Sequence, residues 1–137
     1  MSTLLLDASV WIAATDPNDR FHQSSSSIVF DFARQVAALD LTVYEIANVI
    51  GVRNQEPHEA RYMAETLFKR CRGSALVKAD PGLVEAASSI AGEEGLTAYD
   101  AAYVAAANIN GWTLVSADIA DLVSKGLAVT PDAAVYP

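Results

Sequence analysis

Leu4-Leu5-Leu6-Asp7-Ala8-Ser9-Val10 is the stretch on which the fold turns. Its three leucines make a continuous apolar run closed by a polar residue, the pattern of a short strand buried on both faces. Ala75-Leu76-Val77 and Thr113-Leu114-Val115 have the same form, and shorter extended pieces are expected near Ala38–Leu41 and at Ala128-Val129. Helical patterns fill the intervals. After the turn chemistry of Asp16-Pro17-Asn18-Asp19, periodicity predicts a helix from His22 through about Ala38, with Ile28, Val29, Phe32, Val36 and Leu39 on one face. A second helix is expected from about Val43 to Arg53, and a third from Pro57 to about Arg72, since proline suits the first helical position. Pro81 starts another that Gly95 caps, Thr97 opens one ended by Gly111, and Ala117–Lys125 forms the last before Gly126. Short apolar strands separated by helices predict an α/β fold, a three-layer sandwich with a central short-stranded parallel sheet flanked by helices. In such sheets the functional crevice lies beyond the carboxyl ends of the strands.

The chain has 137 residues, which suits a single domain over residues 1–137. No apolar run approaches the ~18 residues needed to cross a bilayer. The amino terminus lacks the basic segment and long apolar stretch of a signal peptide, so a cytoplasmic protein with no membrane partner is expected. One cysteine, Cys71, excludes an internal disulfide and a cysteine-based zinc cluster. A net charge of −8 argues against a general nucleic-acid coat, because phosphate binding rests on clustered Lys and Arg. It leaves room for an enzyme that grips phosphates through bound metal.

Four carboxylates stand at the mouths of apolar segments: Asp7, Glu45, Asp100 and Asp118. Asp7 ends the first strand, Asp118 follows the Thr113–Val115 run by two residues, and Glu45 and Asp100 each directly follow a tyrosine. Converged, they form a site for divalent cations, because carboxylate oxygens suit hard ions such as Mg²⁺ or Mn²⁺. Two carboxylates about 5 Å apart repel by roughly 3 kcal/mol at an effective dielectric near 20. Each acid also has a structural alternative. Thr42-x-x-Glu45 and Thr97-x-x-Asp100 have the form of capping boxes, Asp118 suits a first helical turn, and Asp7 can cap a helix near Ser9. Burial favours the joint reading: Asp100 is followed by Ala101-Ala102-Tyr103-Val104-Ala105-Ala106-Ala107, a helix fit for close packing, where isolated charge is costly.

In order and spacing, Leu4–Val10, Leu41–Val49, Gly95–Ala105 and Thr113–Asp118 resemble the motifs of PIN-domain ribonucleases, and most closely the VapC-type toxins of bacterial toxin–antitoxin pairs. The resemblance implies a PIN-like fold and a metal-dependent ribonuclease that hydrolyses RNA phosphodiester bonds. Asp7 and Asp100 are then the primary Mg²⁺ (or Mn²⁺) ligands, and Glu45 and Asp118 complete the site directly or through water. Ser9 and Ser116 orient ligands, although either serine also suits a helix N-cap. Implied partners are an RNA substrate, a small antitoxin that sends a basic side chain into the crevice, and a second copy of the chain in a homodimer. Two departures stand out. Ser116 replaces the threonine more usual in the last motif, and Ala117-Asp118-Ile119 lacks the basic residue that often follows the acid.

The main rival is a catalytically silent PIN-like module that binds RNA or protein. A phosphotransfer domain with an acidic Mg²⁺ pocket fits less well, since Asp7 is followed by Ala8-Ser9 and not by a second Asp two residues on. The remaining residues have plainer readings. Asp121 reads as a solvated helix acid. The basic residues Arg53, Arg61, Lys69, Arg70, Arg72 and Lys78 read as a solvated helix face, with the edge of a groove for an RNA backbone as the alternative. His22 and His58 have no ligand spacing, and Trp11, Trp112, Tyr62 and Phe68 read as packing residues.

Overall fold

In the computed structural model, which describes residues 2–136, strands β1 (Leu4–Leu6), β2 (Val36–Leu39), β3 (Leu76–Val77) and β4 (Thr113–Val115) form one parallel sheet. Their order is β3-β2-β1-β4, and Val129 adds a parallel bridge to Val115. Side chains alternate across this sheet into two cores. Leu4, Leu6, Val36, Ala38 and Val115 pack on one side with α1 (Ala8–Ala13), α2 (His22–Phe30), α3 (Thr42–Ile46) and α4 (Pro57–Arg70). Leu5, Ala37, Leu39 and Leu114 pack on the other with α5 (Pro81–Glu94) and α6 (Ala98–Asn110). A short α7 (Pro131–Val135) returns to the first side. Both faces are covered, so the strands have no polar alternation. Leu5 and Leu6 are fully buried, and each contributes roughly 1.5–3 kcal/mol by leaving water.

Local signals end several helices where expected. Gly95 and Gly111 close α5 and α6 in the left-handed region, at φ 67° and 68°, where a side chain would be strained. Alanines 101, 105 and 106 are buried, which lets α6 lie close to the sheet.

Three expected elements differ. The helix from His22 stops at Phe30 and does not continue to Ala38. The Arg70 guanidinium reaches from α4 and donates to the carbonyls of Ile28, Val29, Asp31 and Arg34, which stabilises a break that no local residue announces. Val36 and Leu39 consequently enter β2 on opposite faces, and Phe32 is exposed beneath Arg70. The segment from Val43 to Arg53 is α-helical from Thr42 to Ile46 and then widens into a π-helical stretch, Ala47–Arg53. The Ala117–Lys125 helix shortens to a π-helical turn, Ile119–Val123.

The chain order creates one opening. From β1 the chain crosses to β2 and β3 on one side, then returns to β4 on the other. Crossovers diverge between β1 and β4, so the crevice at their carboxyl ends is the expected ligand site of such a sheet.

Candidate active site

Asp7 sits at the end of β1, in that crevice, with a relative exposure of 6%. It caps α1, accepting from the Ser9 amide at 3.0 Å and from the Ser9 hydroxyl in a short hydrogen bond. The Ser9 hydroxyl in turn accepts from the Ala117 amide at 2.8 Å, and the Asp7 amide donates to Val115 at 3.2 Å. These bonds tie the ends of β1 and β4 together. Burial pushes the Asp7 carboxyl up to about 6; the Ser116 and Ser9 hydroxyls pull it down, and the charge of Glu45 raises it further.

Glu45 projects from α3 and accepts from the Tyr103 hydroxyl at 2.8 Å. Tyr103 has a single hydroxyl proton, so Thr42, 2.6 Å away, is the donor to the tyrosine oxygen. Thr42 does not cap α3, and the capping-box expectation fails there. Burial raises the Glu45 carboxyl above its ordinary value, Tyr103 opposes this, and the charge of Asp100 adds to it.

Asp100 lies in the first turn of α6, where Thr97 caps the helix by accepting from the Asp100 amide at 3.1 Å. That backbone bond leaves the carboxylate free. Burial raises its carboxyl, and Asp118 and Asp121 raise it further. Asp118 caps the Ile119–Val123 turn, accepting from the Asp121 amide at 3.0 Å, while its own amide donates to Ser116 at 2.9 Å. The N-caps here are thus Asp7 and Asp118, not Ser9 and Ser116, whose hydroxyls brace the two acids.

Carboxylate oxygens of Asp100, Asp118 and Asp121 lie within 4.8 Å of one another. Asp7 and Glu45 are not part of this 4.8 Å group; they lie close enough for charge to be felt, Glu45 raising the Asp7 carboxyl and Asp100 raising that of Glu45. Among the described residues the one ion pair within 4 Å is Arg61–Glu65, so no basic side chain neutralises the cluster. Hard oxygen donors, close together and lacking a cationic partner, fit a divalent cation.

Asp121 was expected to be merely solvated. It is exposed, yet its proximity to Asp100 and Asp118 makes it a member of the group. Its spacing of three residues from Asp118, one turn, was the available signal. Tyr103 was likewise visible only as one turn beyond Asp100. Tyr44 and Tyr99, the residues directly before Glu45 and Asp100, are 77% and 70% exposed and line one opening with Leu41, Glu45 and Asn48. The other residues considered lie apart from this chemistry. His22 is hydrogen-bonded to the Ala13 carbonyl, Trp11 is core, and Tyr62 and Phe68 are exposed on α4. Cys71 is buried with its thiol pushed up to about 12, which makes it unreactive.

Comparison with known proteins follows the same lines. The PIN domain family matches residues 4–121. Ribonuclease VapC3 of Pyrobaculum aerophilum is 31% identical over 121 residues, covering 84% of this chain and 88% of that protein. Among solved structures, PAE2754 from Pyrobaculum aerophilum superposes with a TM-score of 0.72 at 22% identity, covering 98% of this chain and 87% of that one. A toxin–antitoxin complex from Klebsiella pneumoniae gives 0.69 at 18% identity, with coverage of 93% and 97%. On the sequence matches, and with the sheet order and acidic crevice in agreement, the chain belongs to the PIN-domain family.

Proposed function

We propose that this chain, as a single PIN domain over residues 1–137, is a Mg²⁺- or Mn²⁺-dependent ribonuclease and the toxin of a toxin–antitoxin pair. The observation that carries the proposal is the group of Asp100, Asp118 and Asp121 oxygens within 4.8 Å, unpaired by any cation among the described residues, at the switch point of the sheet. The ribonuclease activity named for the Pyrobaculum relative supports it. A bound divalent ion supplies a water made nucleophilic at neutral pH and offsets charge on the leaving oxygen.

The protein's own residues have distinct tasks. Asp100 and Asp118, with Asp7, offer the ligand oxygens, and Asp121 adds one at the solvent edge. Tyr103 holds the Glu45 carboxylate in one orientation, so that Glu45 can position the attacking water. Ser9 and Ser116 fix Asp7 and Asp118 from behind. Tyr44 and Tyr99 stand open at the entrance, where an unpaired base can stack on either ring.

An acidic crevice with no cationic partner among the described residues also suits the basic side chain of an antitoxin, and a toxin–antitoxin complex is among the structural neighbours. Homodimerisation and a cytoplasmic location complete the proposal; among the described residues no helix is long and apolar enough to cross a membrane.

The test is incubation of the purified chain with single-stranded and structured RNAs, with EDTA, Mg²⁺ or Mn²⁺, beside the Asp7→Ala variant. Cleavage that needs metal and disappears in the variant is the expected result. RNA bound but left intact in both metals supports the silent-module reading instead.

A further inference from the structure

The opposite end of the sheet carries the opposite charge. A cavity of about 460 Å³ there is lined by Arg34, Lys69, Arg70 and Arg72, with Phe32 and Trp112 beside them, and by no acidic residue. Four of the chain's nine Lys and Arg residues thus line one cavity in a protein of net charge −8.

Arg70 is committed to backbone carbonyls. The other three are available. Lys69 and Arg72 are exposed and, among the described residues, take part in no ion pair. Arg34 keeps its Nε buried without a hydrogen-bond partner, a donor whose desolvation is uncompensated. Asp31, whose charge is felt by Arg70, is not among the residues lining the cavity and accepts from the Ala33 amide at 3.1 Å.

We propose that this cavity is an exosite that holds the phosphate backbone of single-stranded RNA away from the site of cleavage. The inference rests on the ribonuclease reading above. Without metal the acidic pole repels phosphate, so electrostatic affinity for the RNA backbone comes from elsewhere on the molecule. Cations interleaved with exposed aromatic rings are the surface that single strands prefer, and Phe32 is 64% exposed within this basic cluster. An acidic peptide would use the cations alone and leave the aromatic faces idle. Thr3 lines the cavity and Asp7 lies four residues further along β1, about 13 Å at the rise of a strand. That path runs through the buried strand, so an oligonucleotide engages both ends by passing over the surface of the domain.

Fluorescence anisotropy with a labelled single-stranded RNA, in EDTA and over a series of salt concentrations, tests the exosite in the full chain. The double variant Lys69→Gln, Arg72→Gln is compared with Arg20→Gln, Arg61→Gln, which removes equal charge from exposed positions outside the cavity. The cavity variant is expected to bind about tenfold more weakly, and the slope of log affinity against log salt to fall by about 1.4, for two lost phosphate contacts. The control pair should stay near wild type. Equal weakening in both pairs, no weakening in either, or no RNA binding by the wild type overturns the exosite. So does competition by a mononucleotide or an acidic peptide as strong as that by RNA. RNA bound in the cavity but never cleaved with metal sinks the nuclease reading alone; cleavage with unaltered binding in the cavity variant sinks the exosite alone.

Discussion

The two ends of the sheet handle like charge in opposite ways. At the carboxyl end, burial and neighbouring acids raise the proton affinity of Asp7, Glu45 and Asp100, and among the described residues only hydroxyls and amides answer the acids there. At the amino end, Arg70 donates to the carbonyls of Ile28 and Val29 at the end of α2 and of Asp31 and Arg34 beyond it, and its charge becomes part of the architecture. A charge met by backbone dipoles stabilises the fold. A charge met by other charges of its own sign waits for a ligand, and it destabilises the fold until one arrives.

The largest expected effect separates the two ends by function. Asp100→Asn should lower RNA cleavage by about a thousandfold, because loss of metal-assisted stabilisation is worth several kcal/mol. The same substitution relieves repulsion from Asp118 and Asp121, so the metal-free protein should be as stable as wild type or more so. Urea unfolding in EDTA checks this; a clear loss of stability would return Asp100 to a purely structural role.

Asp7 sharpens the contrast through pH. Its folded carboxyl titrates at about 6, above the 3.8 of a free side chain, so between these values the folded state holds more protons. Stability of the metal-free protein is therefore fullest below about pH 4 for this group and declines as pH rises through 6. The loss amounts to roughly 3 kcal/mol by neutral pH. Asp7→Asn should abolish that decline, and saturating Mg²⁺ or Mn²⁺ should flatten it in the wild type. Urea midpoints at several pH values report both.

Arg70→Met tests the other end. It removes a charged donor shared among several carbonyls and should cost about 2–3 kcal/mol at every pH between 5 and 8. A loss that follows the titration of Asp7 would mean that the two ends are coupled. The smallest effect is expected at Tyr103→Phe, which leaves Thr42 and Glu45 without their shared hydroxyl. About 1 kcal/mol of stability should go. Cleavage should fall by a larger factor than unfolding predicts, since Glu45 loses its fixed orientation.

Much of the site was legible because its signals are local. Asp7 follows a leucine run that reads as a buried strand, and Asp118 follows another, so a parallel sheet places both at the same end. Glu45 and Asp100 were recognisable from motif but not from capping logic, which holds for Asp100 and fails for Glu45. Thr42 could satisfy a helix amide or a distant hydroxyl, and the choice depended on Tyr103, which lies in α6. Asp121 escaped because its spacing of one turn from Asp118 also suits a solvated helix acid, and the nearness of Asp100 depends on the packing of α6.

The amino-acid order alone determined the apolar strands, the prolines that begin α4 and α5, and the glycines that end α5 and α6. Each rests on the conformational limits of one residue and its near neighbours. The break of α2 at Phe30, the partner of Glu45 and the company of Asp121 were decided only when distant segments packed together. Those outcomes depend on which of several nearly equal hydrogen-bond partners comes within reach, and reach is a property of the folded chain.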